Sequence, residues 1–516
     1  MPPLQSPCTN CSCFTPSQPL TQFHWSRLES QLRESQLSSD VEIQTIAKLE
    51  RDIEGYDLEI SRLQSRIFSL QYKRGLVVDY VSRHKSLLAP IRRLPNDVLI
   101  EIFSFSSFST TVGCDGSEVN LPQVNLGQVC SHWRSIINAS PMLWSRLNLM
   151  LDDPTFSNAT MMNVVNMLLT KSMDHSLTID VTSVDGENIH PALQLLLNHS
   201  NRWMDATLQC NTSILRHVFS ASGDFPRLRH LDIMNSTTVP LPVAHYPCLH
   251  SLCLEMHNRD PDVSLSQQDF PWNQLREVEL RMLTINECAD VLSWCTQLQN
   301  ATLTDSDSDQ IRVSSDNPIA SSTVISLTLK DRDPVDMENF FRLAKFPQLH
   351  TLEMDGCDFP ANTYSFITHS PLITTLSLEY IRSGVGDVLH ILRLLPTVAN
   401  FRWSQNWLFM RSGTVDDLFS NLRLHPYGSR TLLPRLRHLD VKFTYVDVVH
   451  FDITLPALTK ILQARWMEVE HPNDRLKLVR LSFPQNCLKH DLIQPLNYLL
   501  KAGMAISIKD QCGFIL

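Results

Sequence analysis

The stretch LHTLEMDGCDF, residues 349–359, decides how the larger part of this chain folds. Leu349, Leu352 and Met354 stand on an apolar-x-x-apolar-x-apolar spacing, and Cys357 and Phe359 extend it. Leu352 and Met354 alternate with Glu353 and Asp355, which is the period of a β-strand with one apolar edge. One such strand cannot bury that edge alone, so further copies must stack beside it.

The copies are present. The spacing recurs as Trp203, Ala206, Leu208; Leu228, Leu231, Ile233; Leu249, Leu252, Leu254; Leu275, Val278, Leu280; Leu298, Ala301, Leu303; and Val324, Leu327, Leu329. It continues as Ile373, Leu376, Leu378; Val398, Phe401, Trp403; Leu436, Leu439, Val441; and Leu478, Leu481, Phe483. Starts between 203 and 398 lie 21 to 26 residues apart, inside the range of about 20 to 29 for leucine-rich repeats. The gaps 398 to 436 and 436 to 478 are longer. Helical patterns between strands, such as Cys288, Ala289, Leu292, or Phe340, Phe341, Leu343, or Val388, Leu389, Ile391, Leu392, predict an outer layer. The expected class is therefore α/β: an irregular leucine-rich-repeat-like solenoid over 160–516. A helix near 491–501 and a strand at Ile506–Ile508 would cap it. Only 349–359 shows the fuller repeat, with Cys357 where an Asn or Cys belongs.

Strand residues that alternate with the buried ones should line the concave face. They include His230, Asp232, Glu255, Glu277, Glu279, Arg281, Lys330, Glu353, Asp355, Glu379 and Arg402, with acids in the majority. Glu255, Glu277, Glu279, Glu353, Asp355 and Glu379 are therefore the expected contacts for a basic segment of a protein target. Asp305, Asp307 and Asp309 extend the acidity. A calcium loop does not follow, because Gln310 stands where the turn glycine belongs and Asp316 where the bidentate Glu belongs.

Before the repeats, Ile46, Leu49, Ile53, Tyr56, Ile60, Leu63, Ile67, Leu70, Val77 and Val81 fall at alternating steps of three and four within 26–88. This is a heptad seam, and Glu50, Arg51, Asp52, Glu54, Glu59, Arg62 and Arg66 supply its polar flanks. A coiled coil or a helical hairpin follows, with self-association through 42–81 open; Arg74 on the seam and Gly55 inside it argue against a long dimeric rod. Residues 1–25 read as a disordered tail, since Pro, Ser, Thr and Cys dominate without an apolar period. Cys8, Cys11 and Cys13, with only His24 nearby, do not make a zinc site.

Between arm and repeats, 90–150 reads as three short helices. Val98, Leu99, Ile102 and Phe103 mark the first; Val124, Leu126, Val129, Cys130, Trp133, Ile136 and Ile137 the second; Leu143 and Trp144 follow Pro141. The unit carries more apolar surface than it can bury alone, which suggests partner docking. LPNDVLIEIF (94–103), VCSHWR (129–134) and PMLW (141–144) resemble an F-box, and the whole is similar to fungal F-box proteins in which a heptad helix precedes the box and leucine-rich repeats follow. The resemblance implies that Leu94, Pro95, Val98, Leu99, Ile102, Val129, Cys130 and Trp133 present or support a surface for a Skp-type adaptor. It implies a substrate receptor of an SCF-type ubiquitin ligase, with cullin and RING subunits as further partners. The 106–122 loop, longer than in a compact F-box, is the departure from the pattern. Trp133 and Trp144 also suit a packed core. A non-ligase interaction scaffold is the alternative function.

Composition agrees. The 516 residues hold 43% apolar and 19% charged residues, a globular balance, and a net charge of −10 argues against nucleic acid or an acidic membrane as partner. No apolar run is long enough for a membrane helix, and 1–20 lacks the pattern of a signal peptide. Thirteen cysteines in such a chain read as reduced thiols of a cytoplasmic or nuclear protein. Glycine, at 14 residues, is scarce for phosphate-cradling loops. No zincin, nucleophile-elbow, P-loop or dinucleotide motif occurs, so no catalytic residue, cofactor or metal is expected. Cys130 and His132 point apart on a helix and form no dyad.

Overall fold

A computed structural model describes residues 25–33, 40–107, 111–114, 118–151, 158–183, 189–222, 224–234, 245–256, 265, 270–304, 319–320, 323–405, 414–422, 432–443, 448–467, 475–483, 490–510 and 513–514. The expected tail up to residue 24 and the Asp305, Asp307, Asp309 run lie outside them. The chain divides into two units, 1–99 and 100–516.

The first unit is helical, with helices Trp25–Arg33 and Asp40–Leu87. The second helix has 48 residues and so runs about 72 Å. Its ends suit the helix dipole: Asp40 and Glu42 stand in the first turn, His84 and Lys85 in the last. Every heptad residue named above falls inside it, and apart from half-buried Leu49 the whole apolar seam is exposed. A 3₁₀ turn, Pro90–Arg93, follows.

The second unit is built on one sheet of 17 strands. Each of the repeated spacings ends in a strand of it except the last, which is corrected by two residues: Val479 and Leu481, not Leu481 and Phe483, stand beside Leu439 and Val441, and Phe483 lies past the strand. From Arg146–Met150 through Leu177–Ser183 and onward to Ala505–Asp510, neighbours along this sheet pair parallel. The register sets equivalent residues side by side: Ala301, Leu327, Leu352, Leu376, Phe401, Leu439, Val479 and Ile506 form one row. Leu303, Leu329, Met354, Leu378, Trp403, Val441, Leu481 and Ile508 form the next, and all but Ile506 are at most 2% exposed. A period-two pattern repeated in register thus makes one continuous core.

Helices return the chain between many strands, among them Ile285–Trp294, Pro334–Leu343, Val385–Leu394 and Val448–Met467. Capping sets their starts. Thr284 and Glu287 form a reciprocal capping box, and the Asp333 carboxylate accepts from the Val335 N–H ahead of Pro334. Among the described residues no α-helix lies between Ser222 and Ile285. There a file of buried rings takes its place, Trp203, Phe225, Tyr246, Phe270 and Trp272, with successive centroids 5.0 to 5.7 Å apart. The long intervals after 398 and 436 accommodate helices Thr414–Leu422 and Val448–Met467.

Four strands close alike. Met282, Asp331, Gly356 and Tyr380 directly follow strands, all have positive φ, and each donates its N–H to a carbonyl near the end of the neighbouring strand in the sheet, those of Thr304, Asp355, Glu379 and Ser404. At Gly356 (φ 64°) the left-handed backbone favours glycine, and a Cβ there would also push the Asp331 carboxylate aside. The Cys357 thiol, wholly buried, donates to the Leu329 carbonyl of the preceding strand (3.5 Å).

Two expectations for 90–150 are corrected. Part of the 106–122 loop is strand: Thr111–Cys114 pairs antiparallel with Glu118–Asn120 and parallel with Arg146–Met150. Val112 is fully buried there, so this insertion forms one margin of the sheet, mirrored at the other by antiparallel Gly513–Phe514. Closing both margins with hairpins limits the unpaired edge a parallel sheet would offer. The helical run from Val124 to Ile137 is two helices, Pro122–Gly127 and Ser131–Asn138, because Cys130 is extended (φ −161°, ψ 166°).

Candidate functional site

Helix Asn96–Ser107 carries two apolar faces. With Asp97 in its first turn and the Leu99 N–H donating to the Pro95 carbonyl (3.1 Å), it starts where the sequence places it. Val98, Ile102 and Phe105 share an arc of about 60° at 3.6 residues per turn, and all three are exposed, Phe105 at 68%. Leu99 and Phe103 lie on the adjoining side and are buried, at 1% and 2%. Leu99 therefore belongs to the buried side of the helix and not to its exposed arc. Phe105 was missed by the periodicity, because the serines around it break the apolar pattern.

In the second unit the Trp133 ring lies 4.8 Å from that of Phe103 and is half-buried, so its largest role is packing. The Trp144 indole N–H donates to the Ile137 carbonyl (2.9 Å), and Arg134 Nε donates to the Gly127 carbonyl (2.9 Å), tying the two short helices and the following turn together. Lys171 stands 5.5 Å over the Trp144 ring and donates to Asn138 Oδ1 (2.9 Å), anchoring this unit to helix Asn158–Lys171. Val129 and Val124 remain exposed. Of the other expected contacts, Pro95 is exposed, while Leu94 and Cys130 are half-buried; the Cys130 carbonyl accepts the Arg134 N–H (3.1 Å).

The polar sheet face is less acidic than its sequence. Arg281 donates to both Glu279 (2.8 Å) and Glu255 (3.2 Å), and Glu277 accepts from the Asn300 amide (3.1 Å). Glu379 sits between Arg402 (3.8 Å) and Lys442 (3.5 Å). Glu353 lines a hollow of about 280 Å³ with Arg402, His438 and Arg480. Asp355, beside Glu379 in the register, has its carboxyl pushed above the usual range by burial and then by the charges of Glu379 and Asp331. The same two causes, burial first and a neighbouring carboxylate second, raise Asp180 next to Asp232.

Toward the C-terminus the face turns basic. Arg402, Lys442, Arg480 and Lys509 line a larger hollow of about 990 Å³ together with Glu379 and Asp440, which pair with Arg402 and Lys442, and all four bases are exposed. The acids are mostly half-buried and engaged by neighbours from adjacent strands, whereas Arg480 and Lys509 project from the last strands. Among the described residues no group of His, Cys, Asp and Glu could hold a metal ion, and no helix is long and apolar enough to cross a membrane.

Residues 91–150 match the family model described as F-box-like. Comparison with curated proteins finds no match. The matched segment holds the Ile102 and Phe105 face, Val129, and the Trp133 and Trp144 packing, and it supports an F-box protein.

Proposed function

We propose that this chain is the substrate-recognition subunit of an SCF-type ubiquitin ligase. One observation carries the reading: the segment that matches the F-box-like model bears Val98, Ile102 and Phe105 on one exposed helix face. An isolated domain gains nothing from three adjacent exposed apolar side chains, whereas a Skp-type adaptor that covers them gains their burial. Pro95 and Val129, also exposed, would extend the contact, and Leu94, Cys130 and Trp133 would support it from half-buried positions.

The parallel sheet and its returning helices would be an irregular leucine-rich-repeat solenoid whose polar face holds the target. The rows of equivalent residues and the repeated left-handed turn at Met282, Asp331, Gly356 and Tyr380 support that reading. Exposed Arg480 and Lys509 at its C-terminal end favour an acidic target segment there; the engaged acids at Glu255, Glu279 and Glu379 disfavour the basic segment that the sequence suggests. Bond chemistry would belong to other chains. Cullin and RING subunits would bring a charged conjugating enzyme, and this chain would supply proximity, turning an encounter in solution into a local one. The expected compartment is the cytoplasm or nucleus, where its thiols stay reduced.

Reconstitution tests it: the full chain with adaptor, cullin, RING subunit, activating and conjugating enzymes, ubiquitin and ATP. Ubiquitin chains on this protein or a bound target that require the adaptor support the proposal; transfer that is indifferent to this chain rejects it.

A further inference from the structure

The Asp40–Leu87 helix leaves most of an apolar seam exposed to solvent. Ile46, Ile53, Tyr56, Ile60, Leu63, Ile67, Leu70, Val77 and Val81 are each between 38% and 62% exposed. Nothing in the ordinary chemistry of a single helix accounts for that, since a helix of this length gains its stability from packing its apolar stripe. The occupant that fits both stripe and charges is a second copy of the same helix.

Orientation decides whether the fit is good. In a parallel, in-register pair Arg74 on the seam would face Arg74 of the second copy, and Asp52 would face that copy's Asp57, twice by symmetry. Both juxtapositions are repulsive. An antiparallel pair that sets Ile60 opposite the partner's Leu63 removes both. Ile53 then meets the partner's Leu70, Ile46 the partner's Val77, Ile67 the partner's Tyr56, and Arg74 the partner's Leu49, along which its aliphatic stem can lie while its head reaches water.

The flanking positions agree independently of the seam. In this register Asp52 faces the partner's Lys73 and Glu59 faces the partner's Arg66, giving four opposite-charge pairs by symmetry and no like-charge pair. Ile43 and Val78, exposed apolar residues off the seam, face each other as well. One register thus resolves the seam arginine, the acid-rich first half, the basic second half and the two stray aliphatics together. We infer that this chain forms a homodimer through an antiparallel two-stranded coiled coil of residues 42–81. Its two Leu87 ends would leave opposite ends of the rod, about 75 Å apart at 1.5 Å per residue. The inference does not depend on the ligase reading.

Sedimentation equilibrium of the full chain, with helicity checked by circular dichroism, provides the test. The expected result is a dimer whose dissociation constant rises fivefold or more on Asp52→Lys or on Lys73→Asp, and returns toward the original in the double variant. The two positions lie about 30 Å apart along one helix, so rescue reports pairing between copies and not a local effect on helix stability. A monomer at tens of micromolar overturns the inference. So does a dimer that Asp52→Lys tightens, the parallel result, or one that none of the charge variants moves.

Discussion

Substituting Phe105 and Leu99 separately should divide binding from folding, although the two residues stand within two turns of one helix. Phe105 is 68% exposed, and a phenylalanine offers roughly 200 Å², so its ring presents about 135 Å² to solvent. Covering all of it at about 25 cal/mol/Å² would be worth about 3 kcal/mol. Partial cover makes about 2 kcal/mol the working figure, roughly a thirtyfold change in dissociation constant. Phe105→Ala should therefore weaken adaptor affinity by about that factor and leave the melting temperature unmoved. Leu99, at 1% exposure, should do the converse. Leu99→Ala removes buried methyls and leaves a cavity, at about 2 to 5 kcal/mol of stability, and whatever affinity it loses should track the unfolded fraction. The assay is isothermal titration of each full-length variant with a Skp-type adaptor, beside its thermal melt. If folded Phe105→Ala binds within twofold of wild type, this face is not the docking surface.

Three further outcomes follow from the sheet. Val112→Ala should cost about 2 kcal/mol, because the side chain is fully buried at the margin pairing with Asn148 and Leu149; a chemical-denaturation midpoint checks it. Arg465 is buried and donates to the Leu422, Leu432 and Leu433 carbonyls at 2.7, 2.6 and 2.9 Å, and burial lowers its pKa to about 10. Arg465→Met fills the space but strands three acceptors, so a loss of about 3 kcal/mol is expected, and unchanged stability would refute the role assigned to those bonds. Burial, foremost, holds the Asp232 carboxyl above the usual range, and its Oδ1 has no partner among the described residues. A proton is thus bound more tightly in the folded state, whose stability rises as pH falls through the raised value and is forfeited above it. Asp232→Asn should then be more stable than wild type at pH 7, with the advantage shrinking as pH falls through the raised value and levelling off near about pH 4, the value of an unfolded aspartate; melts across pH 3 to 8 decide.

The strands are legible because their period-two spacing persists while the intervals between them vary. Trp144, Leu147 and Leu149 carry the same spacing, and the strand Arg146–Met150 was still overlooked, since Trp144 had already been assigned to the helical unit before it. Leu177, Ile179 and Val181 alternate as well, but Ser176 occupies the leading apolar position of the unit, so Leu177–Ser183 gave no match. The Thr111–Cys114 strand has four residues, one of them glycine, too few for any period to register. The turn at Gln128–Cys130 escaped notice because its apolar residues keep the helical phase across the break. In the polar face, residue positions were readable but pairings were not: Arg281 reaches Glu255 from 26 residues away, a neighbour relation that exists only once the strands are in register. Counting acids along the sequence therefore overstated the free negative charge.

Size-exclusion chromatography with light scattering, on the full chain mixed with a Skp-type adaptor and then with cullin, tests the central claim most directly. The account predicts a complex containing all three, formed by wild type and by the Asp52→Lys, Lys73→Asp double variant, and depleted by Phe105→Ala at concentrations near the dissociation constant. A folded wild-type chain that elutes apart from both proteins at low salt would contradict it.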